Sequence, residues 1–268
     1  MAPAAHLLII DPQVDFCDPR RGALYVKGAE RDMERLARFL RQRGEKLEAI
    51  HVTLDHHQFF NVAHPVFWVD REGKNPAPFT VLTSEEVESG RWMPAKSELA
   101  GRMLGYARVL AKGGRYPLCI WPPHCLIGSP GACVAPGLLK ALNLWAARKL
   151  AAVNFVVKGA NPLTEHYSAV QAEVPDAADP HTLVNKALVR SLEEAEQVAV
   201  AGEAASHCVA NTVRDLAVQS GDKALVARLV LLEDATSPVP GFEKQYEDFR
   251  SELAGRGMRI SNTREFLA

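Results

Sequence analysis

Along this chain, short unbroken apolar runs alternate with stretches whose apolar residues recur every three or four positions. Leu7-Leu8-Ile9-Ile10 is the first run, and it stops at Asp11-Pro12. A run that is apolar at every position suits a parallel strand covered on both faces. Residues 30–43 are heavily charged but keep Met33, Leu36, Phe39 and Leu40 on one side, which predicts an amphipathic helix closed by Gly44. A second strand is predicted over 47–54, ending at Asp55, and a third over 152–157, ending at Lys158. The fourth, Val198-Ala199-Val200-Ala201, turns at Gly202 and leads into a helix marked by Val209, Val213, Leu216 and Ala217. Further helices are predicted over 97–111, 136–150 and 242–256, a short strand-like run over 116–121, and strands over 224–232 and 258–260.

Strands that alternate with helices predict an α/β fold. It has three layers, α/β/α, around a mostly parallel, doubly wound central sheet with right-handed crossovers. Residues 1–268 read as one domain. After the second strand the alternation is interrupted at about 70–115 by a stretch with Gly73, Pro76, Pro78 and a Thr83-Ser84-Glu85-Glu86 capping signal. That stretch reads as an insertion, suited to a lid, a pocket wall or an oligomer contact.

Composition removes several function classes. Hydrophobic residues make up 47% and charged residues 24%, as in an ordinary globular protein. The net charge of −1, without any basic run, offers no grip for nucleic acid. No apolar stretch approaches the roughly 20 residues of a bilayer span, and the first residues lack a charged segment followed by a long apolar one. The five cysteines are odd in number and include no C-x-x-C pair. Free thiols in a reducing, cytoplasmic setting are therefore expected.

Chemistry gathers at the strand ends. Open α/β sheets place their ligand sites beyond the carboxyl ends of the strands. Asp11, Asp55 and Lys158 stand at three such ends. Cys208 follows the fourth strand, at a predicted helix start whose unpaired N–H groups and dipole favour a thiolate. Alone, each has a plain reading as a turn cap, a surface lysine or a packed thiol. Together at one edge they suit covalent catalysis by sulfur. Asp55, His57 and His64 form a carboxylate–imidazole set that suits Zn²⁺, Mn²⁺ or Fe²⁺. His124, on a loop stiffened by Pro122 and Pro123, can join them, while its neighbour Cys125 reads as a buried thiol.

Five blocks in order resemble the isochorismatase-like cysteine hydrolases, most closely their nicotinamidase and pyrazinamidase branch. They are Leu7-Leu-Ile-Ile-Asp11-Pro-Gln-Val-Asp-Phe16; Asp55-His-His57 with His64; and Trp121-Pro-Pro-His124-Cys-Leu-Ile-Gly-Ser-Pro-Gly131. Val157-Lys158-Gly159 with Glu165-His-Tyr-Ser168, and Gly202-Glu-Ala-Ala-Ser-His-Cys208, complete the set. The resemblance implies that Asp11, Lys158 and Cys208 are a catalytic triad. It implies that Asp55, His57, His64 and His124 hold a divalent metal ion, zinc ahead of manganese or iron. Phe16 and Trp121 would flank the substrate ring. A non-proline cis peptide at Glu203–Ala204 would aim the N–H groups of Ala204 and Cys208 into an oxyanion hole.

The implied function is a metal-containing cysteine amidohydrolase, a nicotinamidase that converts nicotinamide and water to nicotinate and ammonia through a Cys208 thioester, as in NAD salvage. The implied partner is a small amide, with neither nucleic acid nor membrane; a homo-oligomer is compatible, and no residue pattern fixes one. His56, Glu203 and His207 depart from the family's usual residues. Three other readings stay open: a cysteine amidase for another small amide, carbamoyl or ureido substrate; a hydrolase whose metal-bound water attacks directly while Cys208 is structural; and a non-catalytic interaction module. Ether hydrolysis of isochorismate dispenses with a nucleophilic thiol and fits Cys208 poorly.

Overall fold

Six strands form one sheet in which every neighbouring pair is parallel. They are β1 (Ala5–Ile10), β2 (Leu47–Asp55), β3 (Asn154–Lys158), β4 (Gln197–Gly202), β5 (Leu229–Leu232) and β6 (Arg259–Ser261). Their order across the sheet is β6-β5-β4-β1-β2-β3. This computed structural model describes residues 4–113 and 115–268. Part of the opening segment read for a leader therefore lies outside the described residues. Among the described residues no helix is long and apolar enough to cross a membrane.

The central strands are the ones whose sequence is apolar throughout. Every residue of β1 is buried, and β4 is buried from Val198 onward. Burying each of Leu7, Leu8, Ile9 and Ile10 contributes on the order of 1.5–3 kcal/mol. The chain winds from β1 outward to β2 and β3, then returns to β4 and winds the other way to β5 and β6. Right-handed crossovers then place α1 (Ala29–Arg43) and the helix before β3 on one face, and the helices after β4 and β5 on the other. Here α2 is Ala100–Gly113, α3 Pro136–Lys149, α4 Lys186–Glu193, α5 Ala210–Gln219 and α6 Glu243–Gly255. Helices α1 and α3 pack together, with Trp145 Nε1 donating to the Gly44 carbonyl at 2.9 Å.

The winding reverses between β1 and β4, which makes the gap beyond their carboxyl ends the switch point where such folds bind ligands. Asp11 follows β1, and the turn bearing Cys208 follows β4. Gly202 ends β4 at φ +107°, and a side chain there would collide with the backbone of Ile10. Only glycine lets the two strands run this close at their ends.

Two expectations are corrected, and one helix is added. The strand predicted over 224–232 begins as a helical turn, Leu225–Arg228, and only Leu229–Leu232 joins the sheet. Both halves are apolar, so periodicity cannot separate them. The turn is held where Arg228 donates to the carbonyls of Glu193 and Ala195 at 3.0 and 2.6 Å. The run at 116–121 supplies only Leu118–Cys119, paired antiparallel with Val81–Leu82 outside the main sheet. Helix α4 was not expected from the pattern, although Asn185 caps it by accepting from Leu188 N at 3.0 Å.

The region between β2 and α3 has its own apolar cluster, which includes Val62, Phe67, Trp68, Leu82, Met103, Tyr106 and Ile120. It begins before residue 70 and closes beyond 115, so it is wider than the interrupted stretch. Thr83 and Glu86 form the capping box that their spacing predicts. Tyr106 links this cluster to the main sheet's edge, its hydroxyl accepting from Glu165 N at 3.0 Å.

Candidate active site

Asp11 leaves β1 with φ +42° and no exposed surface. Its N–H donates to Thr53 Oγ1 at 3.0 Å, and the Thr53 hydroxyl donates back to Asp11 Oδ1. Thr53 and Asp55 are two apart on β2, so their side chains share a face. The parallel register sets Lys158 of β3 directly beside Asp55. Lys158 is therefore not the solvent-seeking lysine that a strand end usually carries; it is 3% exposed. Its Nζ lies 2.9 Å from Asp11 Oδ2 and 3.0 Å from Asp55 Oδ1. It also donates to the His166 carbonyl at 2.8 Å and reaches the Cys208 sulfur at 3.7 Å.

Three segments far apart in sequence thus bring a carboxylate, an ammonium and a thiol into contact. Apart from this ion pair, Asp11 Oδ2 accepts no hydrogen bond among the described residues. Burial opposes the charge on Lys158, but Asp11 and Asp55 more than offset it and hold its pKa well above the ordinary value. Burial pushes the Asp11 carboxyl up, and Asp55 adds to this against the pull of Lys158.

Cys208 lies in the opening turn of the helical segment after β4, as the pattern predicts; that turn is π-helical, Ala205–Val209, and runs on into α5 at Ala210. Burial pushes its thiol well above the ordinary value, and Asp11 and Asp55 reinforce that against Lys158. The two carboxylates around the sulfur favour its protonated form, and the one ammonium favours the thiolate.

Beside this group, Asp55 turns Oδ2 toward His57 Nε2 at 2.8 Å and His124 Nε2 at 3.5 Å. One ligating atom from each of Asp55, His57 and His124 falls within 4.8 Å of the other two. His64 stands outside that triad, its ring 5.3 Å from the His57 ring and 5.6 Å from the His124 ring. Its Nδ1 faces the Phe59 carbonyl at 3.1 Å and must donate to it, which leaves Nε2 a lone pair that is buried and partnerless. His124 Nδ1 faces the Pro122 carbonyl at 2.9 Å in the same way. Fixing one imidazole nitrogen to free the other is how metal-binding histidines are oriented.

Burial, helped by His57 and His124, lowers His64 to about 3, so its ring stays neutral. Burial would raise Asp55, but His57 and Lys158 hold it well below the usual carboxylate range. Gly159, at φ +83°, makes room here, since a Cβ would sit 2.6 Å from Asp55 Oδ1. A buried carboxylate, two converging imidazoles and an orphaned third fit a divalent cation.

Phe16, Trp121, Asp55, His124, Ala204 and Cys208 line one cavity of about 30 Å³, close to the volume of a water molecule. Of Asp11, Lys158 and Cys208, only Cys208 lines it. A wider cavity, about 790 Å³, lies between α1 and the start of α3 and contains none of these residues. The peptide bond Glu203–Ala204 is cis, at the position the resemblance assigns.

Several contributors escape the sequence reading. Gln13 clamps the Asp55 backbone, donating to its carbonyl at 2.6 Å and accepting from its N–H at 2.7 Å. Thr53 steers Asp11, while Glu165, Tyr167 and His207 join the cavity wall. Gln13, Glu165 and Tyr167 lie in the blocks that carry the resemblance, which was their only signal; Thr53 has none.

The chain matches no protein-family model and no curated protein. Solved structures do match it over almost their whole length. The yeast nicotinamidase Pnc1p is 17% identical, with a TM-score of 0.64 over 96% of this chain and 99% of that one. PnC1 from L. infantum, in complex with nicotinate, is 22% identical, with a TM-score of 0.61 over 98% and 95%. The pyrazinamidase of Pyrococcus horikoshii, in complex with zinc, is 19% identical, with a TM-score of 0.55 over 97% and 99%. By these likenesses and its parallel sheet, the chain has the fold of these nicotinamidase and pyrazinamidase structures.

Proposed function

We propose that this chain is a cysteine amidohydrolase and that its substrate is nicotinamide. The observation that carries the reading is Lys158, whose ammonium sits between Asp11 at 2.9 Å and the Cys208 sulfur at 3.7 Å. An acid–base residue, a cation and a nucleophile in mutual contact at a switch point are the parts that thiol-based amide hydrolysis needs. The likeness to nicotinamidase structures supports the choice of amide.

In this mechanism Asp11 takes the proton of Cys208 as the sulfur attacks the amide carbonyl. Lys158 stabilises the negative charge that moves among Asp11, the sulfur and the substrate. The N–H groups of Ala204 and Cys208 hold the developing oxyanion, a contribution of about 3–4 kcal/mol per donor in other enzymes. Asp11 then passes its proton to the departing ammonia. Water, deprotonated by Asp11, cleaves the thioester and releases the acid. Phe16 and Trp121 flank the ring and orient the carbonyl above Cys208. Asp55, His57 and His124 would hold a divalent ion, with His64 Nε2 as a further donor. Bound there, the ion would supply a Lewis acid and positive charge that favours the thiolate.

Five free cysteines support a reducing, cytoplasmic setting, and a nicotinamide-hydrolysing enzyme serves NAD salvage there. The test is ammonia release from nicotinamide, pyrazinamide and a ureido compound, each with and without a chelator. Release from nicotinamide supports the reading. Release from the ureido compound alone moves the substrate, and silence on all three removes the assignment.

A further inference from the structure

Behind the nucleophile turn lies a group that the mechanism does not use. Glu203 has no exposed surface, and Asp32, in the first turn of α1, is 3% exposed. Ser237 ties the two side chains together by donating to both. Asp32 Oδ1 accepts from Arg35 at 2.9 Å and Oδ2 from the Ser237 hydroxyl at 2.6 Å. Glu203 Oε2 accepts from Ser237 N at 3.2 Å, while Oε1 is buried and accepts no hydrogen bond among the described residues.

These bonds assign the protons. Arg35 is the one cation hydrogen-bonded to the pair among the described residues, so it compensates one carboxylate. Two buried carboxylates tied together by one residue cannot both stay ionised beside a single guanidinium. Asp32 accepts through both oxygens and is the ionised member. Glu203 is then the acid, and a proton on its buried Oε1 removes the charge that no donor there compensates.

The cluster joins three elements that frame the cavity. Glu203 N donates to the Ile10 carbonyl at 2.8 Å, next to Asp11. The Ser237 carbonyl accepts from Ala205 N at 2.8 Å, and two residues on, Val239 N donates to Ser206 Oγ at 3.0 Å. Val239 lines the cavity, and Phe242 packs its ring 4.7 Å from that of His207. We propose that Glu203 is a positioning residue, whose protonated carboxyl, tied to Asp32 through Ser237, latches the 237–242 segment and the Cys208 turn onto α1. This inference rests on the proposed role of Cys208 as nucleophile, but not on which amide it attacks.

The groups facing the pair are Glu30, Asp32 and Arg35 of α1, Asp234 after β5, and the buried Cys17 thiol. All but Arg35 are acidic or neutral. Burial first, then Asp32, raises the Glu203 carboxyl well above its ordinary value. A raised folded-state pKa means that this contribution to stability is complete below the unfolded value and is lost as pH rises through the folded one.

The experiment compares Glu203→Ala, Glu203→Gln and Ser237→Ala with the wild type through two readouts that need no substrate. One is the rate at which iodoacetamide alkylates Cys208, followed on its peptide by mass spectrometry. The other is the melting temperature between pH 5 and 9. Glu203→Ala and Ser237→Ala free the latch, so Cys208 alkylation accelerates about tenfold or more, while turnover on any amide that is hydrolysed falls. Glu203→Gln donates as the acid does but cannot ionise. It restores the wild-type alkylation rate and flattens the decline of melting temperature toward alkaline pH. Wild-type alkylation in both Glu203→Ala and Ser237→Ala overturns the proposal. So does a Glu203→Gln protein that behaves like Glu203→Ala. A wrong substrate assignment leaves both readouts intact, which separates the two failures.

Discussion

Lys158 and Asp55 are neighbours across two parallel strands, and their 3.0 Å ion pair joins the thiol-bearing group to the imidazole cluster. Asp55 serves both, giving Oδ1 to Lys158 and Oδ2 to His57. Its removal should therefore act on both at once. Asp55→Ala is expected to lose bound divalent metal and to leave Lys158 with one carboxylate. Elemental analysis of purified protein checks this. Unchanged metal content in the variant would show that the ligand assignment is wrong.

A smaller change at the same place should have a similar effect. In Gly159→Ala the new methyl meets Asp55 Oδ1 at 2.6 Å, on a backbone held at φ +83°. Left-handed backbone at a non-glycine residue costs on the order of 1–3 kcal/mol. The variant should melt several degrees lower and carry less metal. A variant with wild-type melting and metal content would mean that Asp55 can move aside freely.

Cys208→Ala should reduce amide hydrolysis by at least about 10³-fold, as losing a covalent nucleophile does elsewhere. Metal content should be unaffected, because Cys208 is not in the carboxylate–imidazole triad. If turnover survives near the wild-type level, attack by a metal-bound water becomes the better account.

In metal-depleted protein the Cys208 thiol is held above its ordinary value by burial. Only the thiolate reacts, so its alkylation rate should climb about tenfold per pH unit from pH 7 to 9. Mass spectrometry separates this cysteine from the exposed Cys133. A rate that is flat across this range would mean that the sulfur is already ionised at neutral pH.

Acid should destabilise the fold earlier than its carboxylates alone would. Burial lowers His51 to about 4, with His6 adding to the effect, and lowers His166 and His207 to about 3. The unfolded chain takes up these protons first. Stability is therefore full above about pH 6.5 and drains away as pH falls toward 4. His51 alone accounts for about 3 kcal/mol of this. Melting temperatures at pH 7 and 5 measure the loss, and His51→Gln should show a shallower one. Equal slopes in the two proteins would rule out this source.

How far the site is legible in the sequence depends on what each residue leaves in its neighbours. Asp11, Asp55 and Lys158 can be read because each ends an apolar run, and strand ends of a parallel sheet lie on one edge. The resemblance supplies Phe16, Trp121 and the Glu203–Ala204 bond, which no periodicity marks. Thr53 and Gln13 are hidden because steering a carboxylate or clamping a backbone takes one hydrogen bond and no special spacing. The protonation of Cys208 is hidden for a different reason. A helix start is a local feature, whereas the thiol's charge is set by burial and by Asp11, Asp55 and Lys158, brought in from other strands.

Gly202 has no catalytic atom, yet the spacing of the whole centre passes through it. A methyl group at this position would wedge β4 away from Ile10, and so draw the sulfur's anchor off the carboxylate's. The separation on which proton transfer depends is thus gauged by a missing side chain, far cheaper to upset than any charge in the site.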